Sequence, residues 1–210
     1  MHLLSQFQSV CAAIALACAV PASAGVINFD GTGAPITLAQ ATPLSSYYAA
    51  QGVRFAGVSG AGGSILNDGA EYGFTARSGS DFLAFLLDDG SGLANASGPD
   101  ERISFASEQS RVSIFAATIE DQGFTMSAFD GIGNLLGSTS VAGNRDWQEL
   151  TLAFSGIRSV VVSSSAYAWA LDDLDFSASA EVPEPGSLAL LGAGLLGGLA
   201  ARRKRAIAGK

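Results

Sequence analysis

The residues of this chain best able to do polar chemistry are its carboxylates. The single histidine, His2, and both cysteines, Cys11 and Cys18, fall within the first eighteen residues. Past them there is neither imidazole nor thiol. That excludes Ser-His-Asp and Cys-His catalysis, histidine or thiolate metal sites and disulfides from the remainder. What remains is hard oxygen. Asp172-Asp173-Leu174-Asp175, taken with Asp30, could converge several carboxylates, the ligand type that Ca²⁺ accepts alongside backbone carbonyls. Asp30, Asp172 and Asp173 are therefore candidate ligands of a structural calcium. In a strand Asp172 shares a face with Ala170, Leu174 and Phe176, where an unpaired charge is costly and a bound cation is one remedy. Bonding of Asp172 to backbone amides is the alternative.

The other acidic pairs carry less. Asp88-Asp89-Gly90-Ser91-Gly92 reads as a hairpin turn, because it lacks the further carboxylates of an EF-hand loop. Asp100-Glu101 and Glu120-Asp121 read as loop charges. Paired carboxylates can hydrolyse glycosides, but only at a defined separation. Aromatic rings able to stack on sugars are Trp147, Trp169 and Tyr72, with Tyr47, Tyr48 and Tyr167 behind them. The Gly-rich run 57–63 marks no strand-to-helix transition and is a loop rather than a phosphate cradle.

Charge narrows the partners. Residues 25–180 hold 17 acidic residues and 6 arginines, a net charge of −11, with no lysine. A surface of that sign repels nucleic acid and anionic lipid.

Both ends read as addresses. Val10 to Val20 is an apolar run of signal-peptide length, although no Lys or Arg precedes it. Ala22-Ser23-Ala24 follows, with small residues where signal peptidase requires them, so cleavage is expected between Ala24 and Gly25. At the other end an uncharged run from Gly186 to Ala201 precedes Arg202-Arg203-Lys204-Arg205. Those sixteen residues form a helix of roughly 24 Å, a short transmembrane span. The basic cluster is expected on the cytoplasmic side.

The elements between the ends must be strands. Val26 to Phe29, Gly52 to Val58, Phe82 to Leu87, Ile103 to Phe105, Val112 to Phe115 and Phe124 to Phe129 alternate or run apolar. Asp130 to Asn134 supplies turn chemistry before Leu135-Leu136, and Trp147 to Phe154, Ile157 to Ser163 and Ala168 to Phe176 complete the set. Ala106 to Arg111 reads as a turn. The best helical candidate is Leu44 to Gln51, ended by Gly52. Short strands with Gly-rich turns predict an all-β sandwich.

Two resemblances sharpen this. Pro183-Glu184-Pro185, the Gly/Leu-rich span and the terminal basic cluster together resemble the PEP-CTERM sorting signal of Gram-negative bacteria. That resemblance implies recognition by an exosortase at the inner membrane, transient anchoring through the C-terminal helix, and release to the cell surface or extracellular polysaccharide matrix. Asn28-Phe29-Asp30, Glu101 to Phe105, Arg111 to Phe115, Ala128 to Gly133, Trp147 to Leu150 and Ala170 to Phe176 resemble, in order, the strands of jelly-roll sandwiches related to carbohydrate-binding and galactose-binding-like modules. That resemblance implies pairing of the first and last strands, which brings Asp30 toward Asp172, and a structural Ca²⁺ there. The expected organisation is a signal peptide at 1–24, a jelly-roll β-sandwich ectodomain at 25–180 and the sorting signal at 181–205. The expected function is a non-catalytic binding or structural component of the matrix. The alternatives are a secreted carboxylate-dependent glycosidase or lyase and a protein-binding adhesion module.

Overall fold

A computed structural model of the chain describes residues 24–33, 42–59, 62–68, 73, 75–86 and 99–178. The expected signal-peptide core, the C-terminal span and the sorting residues Pro183, Glu184, Pro185, Arg202, Arg203, Lys204 and Arg205 lie outside them. Among the described residues there are ten strands: β1 Ala24–Ile27, β2 Thr42–Pro43, β3 Val53–Gly57, β4 Ser64–Asn67, β5 Asp81–Leu86, β6 Asp100–Thr118, β7 Phe124–Phe129, β8 Leu135–Val141, β9 Gln148–Ser164 and β10 Ala168–Ala178. Every pairing is antiparallel. The stretch expected to be helical forms only turns and a three-residue 3₁₀ helix, Ala49–Gln51, closed by Gly52 at φ 79°.

Two strands are much longer than their apolar patterns suggest. The expected turn at Ala106 to Arg111 lies inside β6, and the expected break near Ser155 lies inside β9. Periodicity lapses there because the strands turn a corner rather than end. Register shifts interrupt the β6–β9 ladder between Ser104 and Gln109 and again before Arg111. Such bulges bend a strand from one layer to the next. The first half of β6 pairs β3 and the second half of β9, while its second half pairs β10 and the first half of β9.

The resulting sheet folds onto itself as a sandwich. In strand order β7 lies three steps from β10, about 14 Å in a flat sheet. Yet the Phe124 ring on β7 and the Trp169 ring on β10 have centroids 6.0 Å apart. Their contact, with Phe105 on Phe176 and Phe29 on Phe55, closes one shared core. As a jelly roll requires, β1 pairs β10, from Ala24 opposite Ser177 to Ile27 opposite Leu174.

β10 changes face partway along. Trp169 and Leu171 point into the main core, and so do Leu174 and Phe176. One extra residue must therefore sit between the two pairs. It is Asp173, at φ 46°, within the register shift between Asp172 and Asp175. Asp172 consequently shares its face with Ala168 and Ala170, not with Leu174 and Phe176 as simple alternation requires. That face belongs to a second apolar cluster on the outside of the layer, made of Leu66, Phe82, Ala84, Ala117, Ala168 and Ala170 and covered in part by Ala76, Ile119 and Trp147. Deleting Asp173 turns Leu174 and Phe176 outward. The deletion variant is expected to show no cooperative transition in urea, where the parent shows one.

Candidate functional site

The acidic residues picked out from the sequence do meet, around the connection that leads into β5. Its segment 75–81 crosses the outer face of the layer, and carboxylates take its amides in turn. Asp68 accepts from Ala76 N. Asp172 Oδ2 accepts from Arg77 N at 2.8 Å and Ser78 N at 3.2 Å, while its Oδ1 accepts from Asp173 N at 2.7 Å. Asp30 Oδ1 accepts from Ser80 N at 2.8 Å and Asp81 N at 3.1 Å, and its Oδ2 from Asn28 Nδ2 at 2.8 Å. Asp173 receives the Arg77 guanidinium and the Ser78 hydroxyl. The same guanidinium lies 3.4 Å above the Phe115 ring. Gly79, at φ 57°, is required here, because a Cβ on it would collide with the Asp30 carboxylate.

A calcium ion at these carboxylates would have to compete with the N–H donors that already engage them. The oxygens of Asp30 and Asp172 are engaged by N–H donors, and a cation in the form of Arg77 already sits on Asp173. Among the described residues no group of three or more His, Cys, Asp or Glu side chains is arranged to hold a metal. The sequence drew attention to Asp30, Asp172 and Asp173 but missed their partners. Arg77-Ser-Gly-Ser-Asp81, a run of small turn residues opening a strand, was the available signal.

Tyr48 lies near this network. Its ring packs on Phe29 and Phe55, and its hydroxyl is buried with no hydrogen-bond partner among the described residues. Burial pushes the phenol's pKa upward, and the charges of Tyr47, Asp81, Asp30 and Asp172 reinforce the shift. The hydroxyl therefore keeps its proton.

Two carboxyls are strongly perturbed. Asp172 is fully buried; burial pushes it up to about 7 against the pull of the Ser78 and Asp173 amides. Glu101, expected on a loop, instead opens β6 on the inward face with Ile103 and Phe105 and is 1% exposed. Burial pushes it up to about 8; the Gly63 amide, at 2.9 Å, opposes the shift and the Asp100 charge adds to it. Position betrayed this residue: Glu101, Ile103 and Phe105 alternate in the sequence.

The aromatic candidates separate. Trp169 is fully buried and stacked on Phe85 at 3.7 Å, so it offers no face to a ligand. Its place in the core follows from its alternation with Leu171. Tyr72 lies outside the described residues, as does the Asp88–Asp89 turn. Trp147 is half-buried over the second cluster, and its indole N–H donates to Thr75 O at 3.1 Å. It stands at one end of the sandwich, where Asn144 O accepts from Thr118 N and Glu120 Oε2 accepts from the amide of partly exposed Tyr167. Glu120 is thus a capping acceptor rather than a loose loop charge. At the expected signal cleavage site Ala22 lies outside the described residues, whereas Ala24 and Gly25 open β1 and Gly25 packs closely on Phe176.

Residues 181–205 match the PEP-CTERM protein-sorting motif. No curated protein matches the chain. Similar solved structures include TmCBM61 in complex with beta-1,4-galactotriose, 16% identical over 60% of this chain and 88% of that one, with a TM-score of 0.39. The K1 cleaved adhesin domain of Lys-gingipain from Porphyromonas gingivalis W83 is 13% identical over 68% and 95%, with a TM-score of 0.42. The CBM22-1–CBM22-2 tandem domain of Paenibacillus barcinonensis Xyn10C is 16% identical over 65% and 44%, with a TM-score of 0.37. Likeness at this level says nothing about ligand. Among the described residues no helix is long and apolar enough to cross a membrane.

Three outcomes follow from the carboxylates and the arginine they hold. The folded pKa of Glu101 is raised, so its contribution to stability is full below about 4.3 and is lost as pH rises through about 8. Between pH 5 and pH 9, Glu101→Gln is expected to gain at least about 3 °C in melting temperature relative to the parent; a constant difference between the two proteins would refute the buried acid. Chelation is expected to leave the melting temperature unchanged. Arg77→Ala is expected to cost roughly 1 kcal/mol, screened because the side chain is partly exposed.

Proposed function

We propose that the chain is exported, passes to an exosortase through residues 181–205, and serves at the cell surface or in the extracellular matrix as a non-catalytic binding or structural module. The observation that carries this reading is the sorting motif itself. Pro183-Glu184-Pro185 supplies the recognition element, the apolar run a transient anchor in the inner membrane, and Arg202 to Arg205 the stop. Signal peptidase acts at the other end, after Ala24.

The carboxyls support a module without catalysis. A general acid or base must reach the proton it moves. Glu101 and Asp172 have the raised pKa values such a role requires, but both are closed off from solvent and bonded to backbone amides. Calcium has no part in this reading, since the expected ligands are already committed to N–H donors.

For polysaccharide the support is the loop end around Trp147. Trp147 and Tyr167 are partly open there, beside acceptors such as Glu120, and aromatic faces with nearby polar groups suit sugar rings. Mass spectrometry of the protein recovered from the cell surface is expected to show a chain that begins at Gly25 and lacks the basic cluster; an intact chain in the cytosol would overturn the reading. Glycan-array binding is expected to fall at least about tenfold in Trp147→Ala, with the melting curve checked in parallel. Release of reducing sugar by the purified protein would replace the binding module with an enzyme.

A further inference from the structure

Of the 6 arginines in residues 25–180, Arg77 and Arg111 pair with carboxylates. Arg54, Arg102 and Arg158 form no ion pair among the described residues, and the fold gathers all three on one outer face. In β3 and the first half of β6, Val53, Phe55, Ile103 and Phe105 point into the main core. Arg54, Arg102 and Ser104 alternate with them and therefore face out. Arg54 lies opposite Ser104, and Arg102 opposite Ala56. The two arginines are thus diagonal neighbours on adjacent strands, with Cα atoms about 7–8 Å apart. Arg158 stands on β9 at the end of the same face, where it donates to Ala106 O at 3.0 Å.

Like charges on neighbouring strands repel, and the carboxylates nearest to these arginines are committed elsewhere. Asp100 shares the outer side of β6 with Arg102, but its oxygens accept from Val58 N at 3.0 Å, Ser59 N at 2.9 Å and the Ser59 hydroxyl. Asp130 precedes Gly131, which lies against the Arg158 side chain, and it spends its Oδ1 on the amides of Ile132 and Asn134. Arg54 is exposed and its side chain has no hydrogen-bond partner among the described residues. Arg102 donates to the Ser159 hydroxyl at 3.3 Å, with its guanidinium 5.6 Å from the Phe129 ring. Each guanidinium carries more N–H donors than these contacts use. Beyond Arg102 the face continues across β9 and β7. There Phe124, Met126 and Ala128 fill the core, while Thr125, Ser127 and half-buried Phe129 face out.

We propose that this face binds an acidic polysaccharide, with uronate carboxylates held by Arg54, Arg102 and Arg158. The inference rests on the polysaccharide reading above and adds a second contact, apart from the Trp147 end, which lies before the first half of β9. Charge selects an anion and fixes its place. Residues 25–180 carry a net charge of −11, which repels a polyanion from the rest of the lobe, whereas three unpaired arginines here attract one. The planar guanidinium fork matches a carboxylate in shape as well as charge. The surroundings select a sugar over a protein. Protein interfaces are depleted in serine and centred on buried apolar side chains. This face instead offers the hydroxyls of Ser104, Thr125 and Ser127 as donors and acceptors for sugar hydroxyls, beside one ring, Phe129, suited to a pyranose.

Isothermal titration calorimetry of the full chain in detergent tests this, with polygalacturonate, its methyl ester and polyglutamate as probes. The parent is expected to bind polygalacturonate, less tightly as salt is added. It is expected to bind the ester at least about tenfold more weakly, since the rings are the same but the charge is gone. Arg54→Gln with Arg102→Gln is expected to weaken polygalacturonate binding at least about tenfold. Arg54→Gln alone removes no contact of the fold, so it is expected to weaken binding with the melting temperature unchanged, and it decides the result if the double variant fails to fold. Arg145→Gln, which removes the same charge from an exposed position beside Trp147, is expected to bind as the parent does. A chain that binds neutral glycans but not polygalacturonate overturns this inference and leaves the polysaccharide reading standing; a chain that binds no glycan overturns both. Equal binding of the ester, equal binding of polyglutamate, or an equal loss in Arg145→Gln also overturns it.

Discussion

The interaction on which the rest of the lobe depends is the capture of backbone amides by carboxylates across segment 75–81. Four aspartates on three different parts of the chain reach into one connection: Asp30 follows β1, Asp68 follows β4, and Asp172 and Asp173 lie within β10. Each bond alone contributes on the order of 1–3 kcal/mol. Together they fix a segment with little apolar character of its own against a sheet face that would otherwise be wet. They also give Asp172 a reason to be buried. A carboxylate on the face of Ala168 and Ala170 is costly unless paired, and the strap's amides are what it pairs with.

The strap has its counterpart in the inserted residue of β10. Asp173 at positive φ shifts the strand by one position, so the same strand feeds the outer cluster with alanines and the inner core with large side chains on both sides of the insertion. Long strands with bulges do the same for β6 and β9. Both arrangements convert a single sheet into two layers without ending a strand. The corners fall where the sequence turns polar because those residues lie outside both apolar clusters.

Much of this was legible in advance. The strand content could be read from alternation, whereas the pairing of first with last strand and the approach of Asp30 to Asp172 were expected only through the resemblance to jelly-roll sandwiches. The corners could not, since a lapse in periodicity looks alike whether a strand bends or stops. Nor could the inserted residue, because positive φ at an aspartate leaves no mark in hydrophobic pattern. Glu101 was misjudged by giving residue type more weight than position, and Trp169 by giving ring chemistry more weight than its alternation with Leu171. Arg77 and Gly79 went unseen because the partners of a clamp lie dozens of residues away from it.

The antiparallel pairing of β10 has a mechanical consequence. β10 is the strand that leads into the sorting tail, and it lies between β5 and β6 in its first half and between β1 and β6 in its second. A pull transmitted from an anchored tail acts along the axis of that strand. Its ladders on both sides are then loaded in shear, many bonds at once, instead of being peeled one by one. A lobe hung from an edge strand would unzip under far smaller forces.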